Sequence, residues 1–176
     1  MGLSMESMAI AMPAVHGHPN RAGFRGVLTI VDVASDKSPA GARGHRVLLT
    51  RRAAEAAMPS LMGMGLDYSP ALDRHDARRK IGVITRAEIV GRVIEVGGFL
   101  YARDFPEIVA EIGRPARTEE TFRASAAGLG MSYEITDALV EDIQASVWVL
   151  SRVTFTGAAV LRRDKAAYRS TWIELG

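Results

Sequence analysis

The 176-residue sequence contains no cysteine, which excludes disulfides, thiolate metal sites and cysteine nucleophiles. It also has no apolar run close to the roughly 20 residues that a membrane-spanning helix requires. We therefore expect no membrane association. Charge of either sign is nearly balanced, since 22 Lys and Arg against 20 Asp and Glu give a net charge of +2. Nucleic-acid-binding surfaces usually need a clear basic excess, so no nucleic-acid partner is expected either.

The composition is that of an ordinary globular protein, with 48% hydrophobic and 24% charged residues. The length suits one domain with a substantial core. We interpret residues 1–22 as a flexible N-terminal arm and residues 23–176 as a single domain. His16 and His18 lie in the arm without further ligands nearby, so they do not predict a metal site. No metal or cofactor is expected.

Apolar and β-branched runs predict strands along most of the chain. The clearest pair is 80–90 and 92–101, a hairpin about Gly91 whose second arm places Ile94, Val96, Gly98 and Leu100 on one face. The other predicted strands are 24–33, 46–50, 65–69, 129–137 and 146–156. Many strands, few helices and no regular βαβ alternation predict a β-rich α+β fold. We expect a mostly antiparallel β-barrel with helices around it.

Helices are predicted at four places. The first begins at Arg51, where the Thr50 hydroxyl can cap it. The clearest has Asp104 as its N-cap, Pro106 in its first turn and Glu107 completing a capping box. The two weaker segments are 118–127, which is also a candidate mobile loop, and 164–169.

Two residues are candidates for nucleophilic chemistry. Among the four histidines, only His75 is followed directly by an acid, Asp76, and it lies inside the folded region shortly before the strand predicted at 80–90. Strand alternation over 129–137 turns Ser132 and Glu134 away from the core. A serine hydroxyl is a weak nucleophile until a base takes its proton, and a neutral histidine suits that role. Ser132 and His75 are therefore the candidate nucleophile and base.

Three motifs follow one another in a recognisable order. They are LDRHD at 72–76 followed by IGV at 81–83, GLGMSY at 128–133, and VWVLSRVTFTGA at 147–158. Together they resemble the prohead (capsid maturation) serine proteases of phages, which are related to the assemblin-type proteases of herpesviruses. The resemblance covers about residues 24–167, and the order and spacing of the motifs give it weight.

The resemblance implies an assemblin-like fold and a serine endopeptidase of capsid maturation. Such an enzyme acts in the bacterial cytoplasm, inside an immature phage or phage-like capsid. It cleaves the scaffold, the major capsid protein and itself, and a homo-oligomer is compatible with this role. Ser132 would be the nucleophile and His75 the base, with no cofactor.

Two positions depart from the family's pattern. Glu134 stands where the family has a glycine, and the last-strand glutamate that orients the histidine in the family falls at Val149 here. Glu134 can serve as the third catalytic member, or the site can work as a Ser–His dyad or with Asp76. Alternatively, the chain is a catalytically inactive capsid-assembly or scaffold-binding homologue. An unrelated β-domain that binds a small ligand is a further alternative.

Overall fold

One curled sheet of eight strands dominates the fold. The computed structural model describes residues 18–114 and 128–176. The strands are β1 (Arg21–Ile30), β2 (Arg46–Leu49), β3 (Gly65–Asp67), β4 (Lys80–Val90), β5 (Val93–Tyr101), β6 (Leu129–Val140), β7 (Val147–Arg162) and β8 (Trp172–Leu175). Within these described ranges two short helices accompany them, α1 (Arg51–Ala57) and α2 (Pro106–Ile112), and α1 continues into a 3₁₀ turn, Met58–Leu61.

The strand order is β2-β7-β3-β4-β5-β1-β8, and β6 pairs with β7. Five neighbouring pairs are antiparallel, whereas β2 and β3 run parallel to β7. The sheet curls so that β6 approaches β1, where a Cβ on Gly26 would lie 2.8 Å from the Met131 sulfur. The described part of the chain is thus β-rich, a half-barrel with two short α-helices.

The core lies within this curl and follows the alternation of the strands. On β5, Ile94, Val96 and Leu100 are at most 1% exposed, which confirms the face that the sequence predicts. Gly98 belongs to the same face, and a Cβ there would lie 1.9 Å from the Val83 carbonyl oxygen. Glycine is therefore required by the close approach of β4 and β5.

The first predicted helix is confirmed, but the cap of the second is wrong. Helix α1 begins at Arg51, and the Thr50 hydroxyl accepts a hydrogen bond from the Ala53 N–H at 3.2 Å. Helix α2 begins at Pro106 without a side-chain cap. The Asp104 carboxylate accepts a hydrogen bond from the Asn20 amide at 2.7 Å instead, so a tertiary partner outcompetes the local cap.

The capping box is absent for a similar reason. The Glu107 carboxylate accepts a hydrogen bond from the Tyr68 hydroxyl at 2.6 Å, which connects α2 to the end of β3. This bond holds the pKa of Glu107 below its ordinary value.

Several element bounds differ from the sequence prediction. Strand β7 continues six residues past Thr156, because the small residues Gly157–Ala159 are buried between β3 and β6. Residues 164–169 form turns rather than a helix, and β8 was not predicted. Strand β1 begins at Arg21, inside the segment expected to be the arm. The helix predicted at 118–127 lies outside the described residues.

Candidate active site

Ser132 and His75 come together although they are 57 positions apart in the chain. His75 lies in the loop between β3 and β4, and its Nε2 is 3.3 Å from the Ser132 hydroxyl oxygen on β6. The His75 side chain is 17% exposed, so the imidazole is covered but still reachable from solvent. A neutral imidazole at this distance can take the proton of the serine hydroxyl.

The sheet register explains why these residues meet. Asp67 on β3 and Ser132 on β6 both pair with Ala159 on β7, one from each side. Directly paired residues of neighbouring strands project from the same face. The His75 ring contacts both residues, so it lies between Asp67 and Ser132 on the face to which the small Ala159 side chain also projects.

Asp67 is the site residue that the sequence analysis missed. Its side chain is completely buried, and its Oδ1 lies 3.7 Å from the His75 Nδ1. The Asp76 backbone N–H donates to the same oxygen at 3.0 Å, and the Lys80 ammonium contacts Oδ2 at 3.2 Å. The available signal was weak: an aspartate, a poor strand former, in a short apolar strand eight residues before His75.

These contacts keep the Asp67 carboxylate ionised. Burial alone raises its pKa, but the contacts with His75, the Asp76 N–H and the Lys80 ammonium together hold the pKa below the ordinary value of 3.8. A fixed negative charge thus lies beside one face of the site at neutral pH.

The two acids named from the sequence are placed differently from each other. The Glu134 Oε1 lies 3.8 Å from the His75 Nδ1, so Glu134 shares the Ser132 face as predicted, although its side chain is 50% exposed. The Asp76 carboxylate instead pairs with Arg79 at 3.3 Å and accepts the Arg78 N–H. Asp76 thus reaches the site through its backbone N–H.

Val149 lies at the other end of β7. It pairs with Leu48 of β2, whereas Ala159 pairs with Ser132. The separation of ten residues corresponds to about 30 Å of extended strand. An acid at Val149 could not reach His75 in this fold, so the expectation that Val149 occupies the position of the family's orienting glutamate is wrong.

The loop that carries His75 is braced on both sides. The Ser69 hydroxyl donates to the Asp73 carboxylate at 2.8 Å, which lowers the pKa of Asp73, and the Asp73 N–H donates back to Ser69. The Leu72 carbonyl accepts the Arg162 N–H at 2.7 Å, at the end of β7. Local turns and a bond to the sheet therefore fix the position of His75.

A cleft of about 520 Å³ extends from Ser132 along β6. Its walls are mostly apolar, and the residues that contribute to them include Leu28, Val47, Met131, Ile135, Trp148 and Leu150. The Tyr133 ring packs edge-on against Phe155, and burial raises the pKa of Tyr133 to about 12. The Tyr133 hydroxyl therefore stays protonated across the physiological range.

Within the described ranges, β6 pairs with β7 alone, so its second edge faces the cleft. The Met131 N–H on that edge bonds to the Thr171 hydroxyl at 3.2 Å. Backbone groups of alternate residues point to the same edge of an antiparallel strand. The N–H and C=O of Tyr133 are thus directed towards the cleft, beside Ser132.

In residues 18–114 and 128–176, no cluster of three or more His, Cys, Asp or Glu side chains is arranged to hold a metal ion. None of the helices described is long and apolar enough to cross a membrane. A scan with models of known protein families finds no match to this chain, and a search of curated proteins also finds none.

Proposed function

We propose that the protein is a serine endopeptidase of phage or prophage capsid maturation, with an assemblin-like fold. The observation that carries the proposal is the 3.3 Å contact between the His75 Nε2 and the Ser132 hydroxyl, at the head of a cleft. The order of the three sequence motifs supports the family and the biological setting. Scaffold, major capsid protein and the chain itself are the proposed substrates.

In this mechanism the Ser132 oxygen attacks the peptide carbonyl carbon while His75 takes the hydroxyl proton on Nε2. The tetrahedral intermediate then expels the amine, which leaves with that proton. A water molecule attacks the acyl-enzyme in the same way: His75 accepts its proton, and the acid product leaves as Ser132 regains a proton. In each half-reaction the His75 Nε2 accepts one proton and then donates one, so the protons balance without a cofactor.

The open edge of β6 supports a peptide rather than a compact metabolite as substrate. An extended peptide can add to an exposed strand edge through its backbone hydrogen bonds, and neighbouring pockets then select side chains. The Tyr133 N–H and C=O face that edge beside the nucleophile, and the apolar cleft continues along it. A substrate strand held there would present a peptide bond to Ser132.

The rival hypothesis, an inactive assembly module, was suggested by the missing acid at Val149. That position is about 30 Å along β7 from the residue opposite Ser132, so its identity carries little weight in this fold. The site also places the buried Asp67 carboxylate near the second nitrogen of His75. These observations favour the enzyme over the module.

The experiment is intact-mass analysis over time of the purified chain, alone and with the major capsid protein. We expect the wild type to trim itself or the substrate, and expect Ser132→Ala and His75→Ala to leave both intact. Ser151→Ala is the matched control, because Ser151 lies on β7 outside the cleft and should process normally. Identical behaviour of wild type, Ser132→Ala and His75→Ala would reject the catalytic proposal.

A further inference from the structure

We propose that Asp67 is the positioning residue for His75, and that Glu134, the acid suggested by the sequence, is not. The inference rests on the proposed function of Ser132 and His75. Both carboxylates lie at nearly the same distance from the His75 Nδ1, 3.7 Å for Asp67 and 3.8 Å for Glu134. Distance therefore does not distinguish the two carboxylates. Their burial and the contacts that hold each one in place do.

Burial favours Asp67. Its side chain has no exposed surface, whereas that of Glu134 is 50% exposed. Water and salt screen an exposed charge, but a charge inside the protein acts on its neighbours through a much lower effective dielectric. The positive charge that forms on the imidazole when it takes the Ser132 proton is therefore stabilised mainly by Asp67.

Rigid support also favours Asp67. One of its oxygens contacts the Lys80 ammonium at 3.2 Å, and the other accepts the N–H of Asp76, the residue next to His75. The carboxylate is thus tied both to β4 and to the histidine loop. The Glu134 carboxylate lies over the backbone of Gly157, where an added Cβ would be 2.7 Å away. Because this side chain is half exposed, it keeps more rotamer freedom than the buried Asp67.

The His75 Nδ1 is buried and has no hydrogen-bond partner among the described residues. A buried ring N–H without a partner is costly, and catalytic hydrogen bonds often tighten only when substrate is bound. A small rotation of the ring would close the 3.7 Å gap to Asp67. The proton would then stay on Nδ1, which leaves the Nε2 lone pair directed at Ser132.

The test is long-range ¹H–¹⁵N NMR of protein with ¹⁵N-labelled histidine, recorded over a pH series for wild type, Asp67→Asn and Glu134→Gln. His75→Ala assigns the His75 signals. We expect neutral His75 to carry its proton on Nδ1 in the wild type and in Glu134→Gln, and to lose this preference in Asp67→Asn. This readout does not require activity.

The same variants are compared by labelling of Ser132 with a fluorophosphonate. For Asp67→Asn we expect the maximal labelling rate to fall at least about 100-fold at unchanged half-saturating probe concentration. For Glu134→Gln we expect less than about a threefold change, as for an exposed charge.

Three results overturn the inference: wild-type His75 protonated on Nε2, loss of the tautomer preference in Glu134→Gln instead, or unchanged labelling in Asp67→Asn. If Asp67→Asn does not fold, Glu134→Gln decides: an Nδ1 proton that persists in this variant supports Asp67, and its loss overturns the inference. If the wild type is not labelled at all, the proposed protease function fails, while the NMR result still tests the placement of Asp67.

Discussion

Asp67 and Ser132 are opposite neighbours of one residue, because β3 and β6 both align them with Ala159 of β7. Strands lie about 4.8 Å apart, so the two side chains stand roughly 10 Å from each other on one face. An imidazole that contacts one residue with each nitrogen fits this span. Because Ala159 lies between the two residues, we expect the size of its side chain to control whether His75 can lie there.

A larger side chain at Ala159 should separate the imidazole from its partners. For Ala159→Val we expect labelling of Ser132 by a fluorophosphonate to fall about 100-fold, since a shift near 1 Å in a reacting group can cost that much. Ala158→Val is the matched control, because Ala158 is equally buried on the opposite face. Both variants should lose about 1–3 kcal/mol of stability through overpacking. Equal labelling of the two variants would contradict this reading of the register.

The sequence predicted most of the strands because their apolar alternation is strong. The hairpin from Lys80 to Tyr101 and the short elements at 46–57 have nearly their predicted bounds. The extension of β7 was missed because glycine and alanine, at 157–159, have low strand propensity. These residues form part of a strand because they pair with β3 and β6 on either side.

The site was only partly predictable for a related reason. Ser132 and Glu134 could be placed on one face from alternation alone, and both do lie within reach of His75. Asp67 could not be selected, because its role depends on a parallel pairing between β3 and β7 that no local pattern encodes. Such a contact joins residues far apart in the sequence, so it can be identified only once the register of the paired strands is known.

Two glycines should differ in how much stability they lose on substitution by alanine. A Cβ at Gly98 would lie 1.9 Å from the Val83 carbonyl, so Gly98→Ala must move backbone. We expect it to cost about 1–3 kcal/mol, at roughly 2–4 °C of melting temperature per kcal/mol. Gly157→Ala displaces only the Glu134 carboxylate and should be nearly neutral. Thermal unfolding followed by circular dichroism measures both, and an equal loss for the two variants would show that strand contacts at Gly157 had been underestimated.

Acidification should selectively remove the contribution of Asp67 to stability. Its pKa is lower in the folded protein than the ordinary 3.8, so the folded state favours the ionised form. The stability that results is fully present above the ordinary pKa and is lost as the pH falls through the lower folded pKa. Urea unfolding of wild type and Asp67→Asn should therefore differ most at neutral pH, and the difference should shrink below about pH 4.

Other acids with lowered pKa values, Asp73 and Glu107, titrate alike in both proteins and cancel in that comparison. Asp73→Asn provides a matched exposed control and should change the pH profile much less. A stability difference between wild type and Asp67→Asn that stays constant from pH 7 to pH 2.5 would mean that Asp67 acts through packing rather than charge.

Peptide binding should be visible through one of the two tryptophans. Trp148 lines the cleft and stacks on His45 with ring centroids 4.5 Å apart, whereas Trp172 lies on β8 outside it. We expect substrate peptide added to Ser132→Ala to change the tryptophan emission, because a ligand along β6 alters the surroundings of Trp148. The change should persist when Trp172→Phe is added and disappear when Trp148→Phe is added. A signal that instead follows Trp172 would place the peptide at the far edge of the sheet, beside β1 and β8, where Ser132 has no access to it.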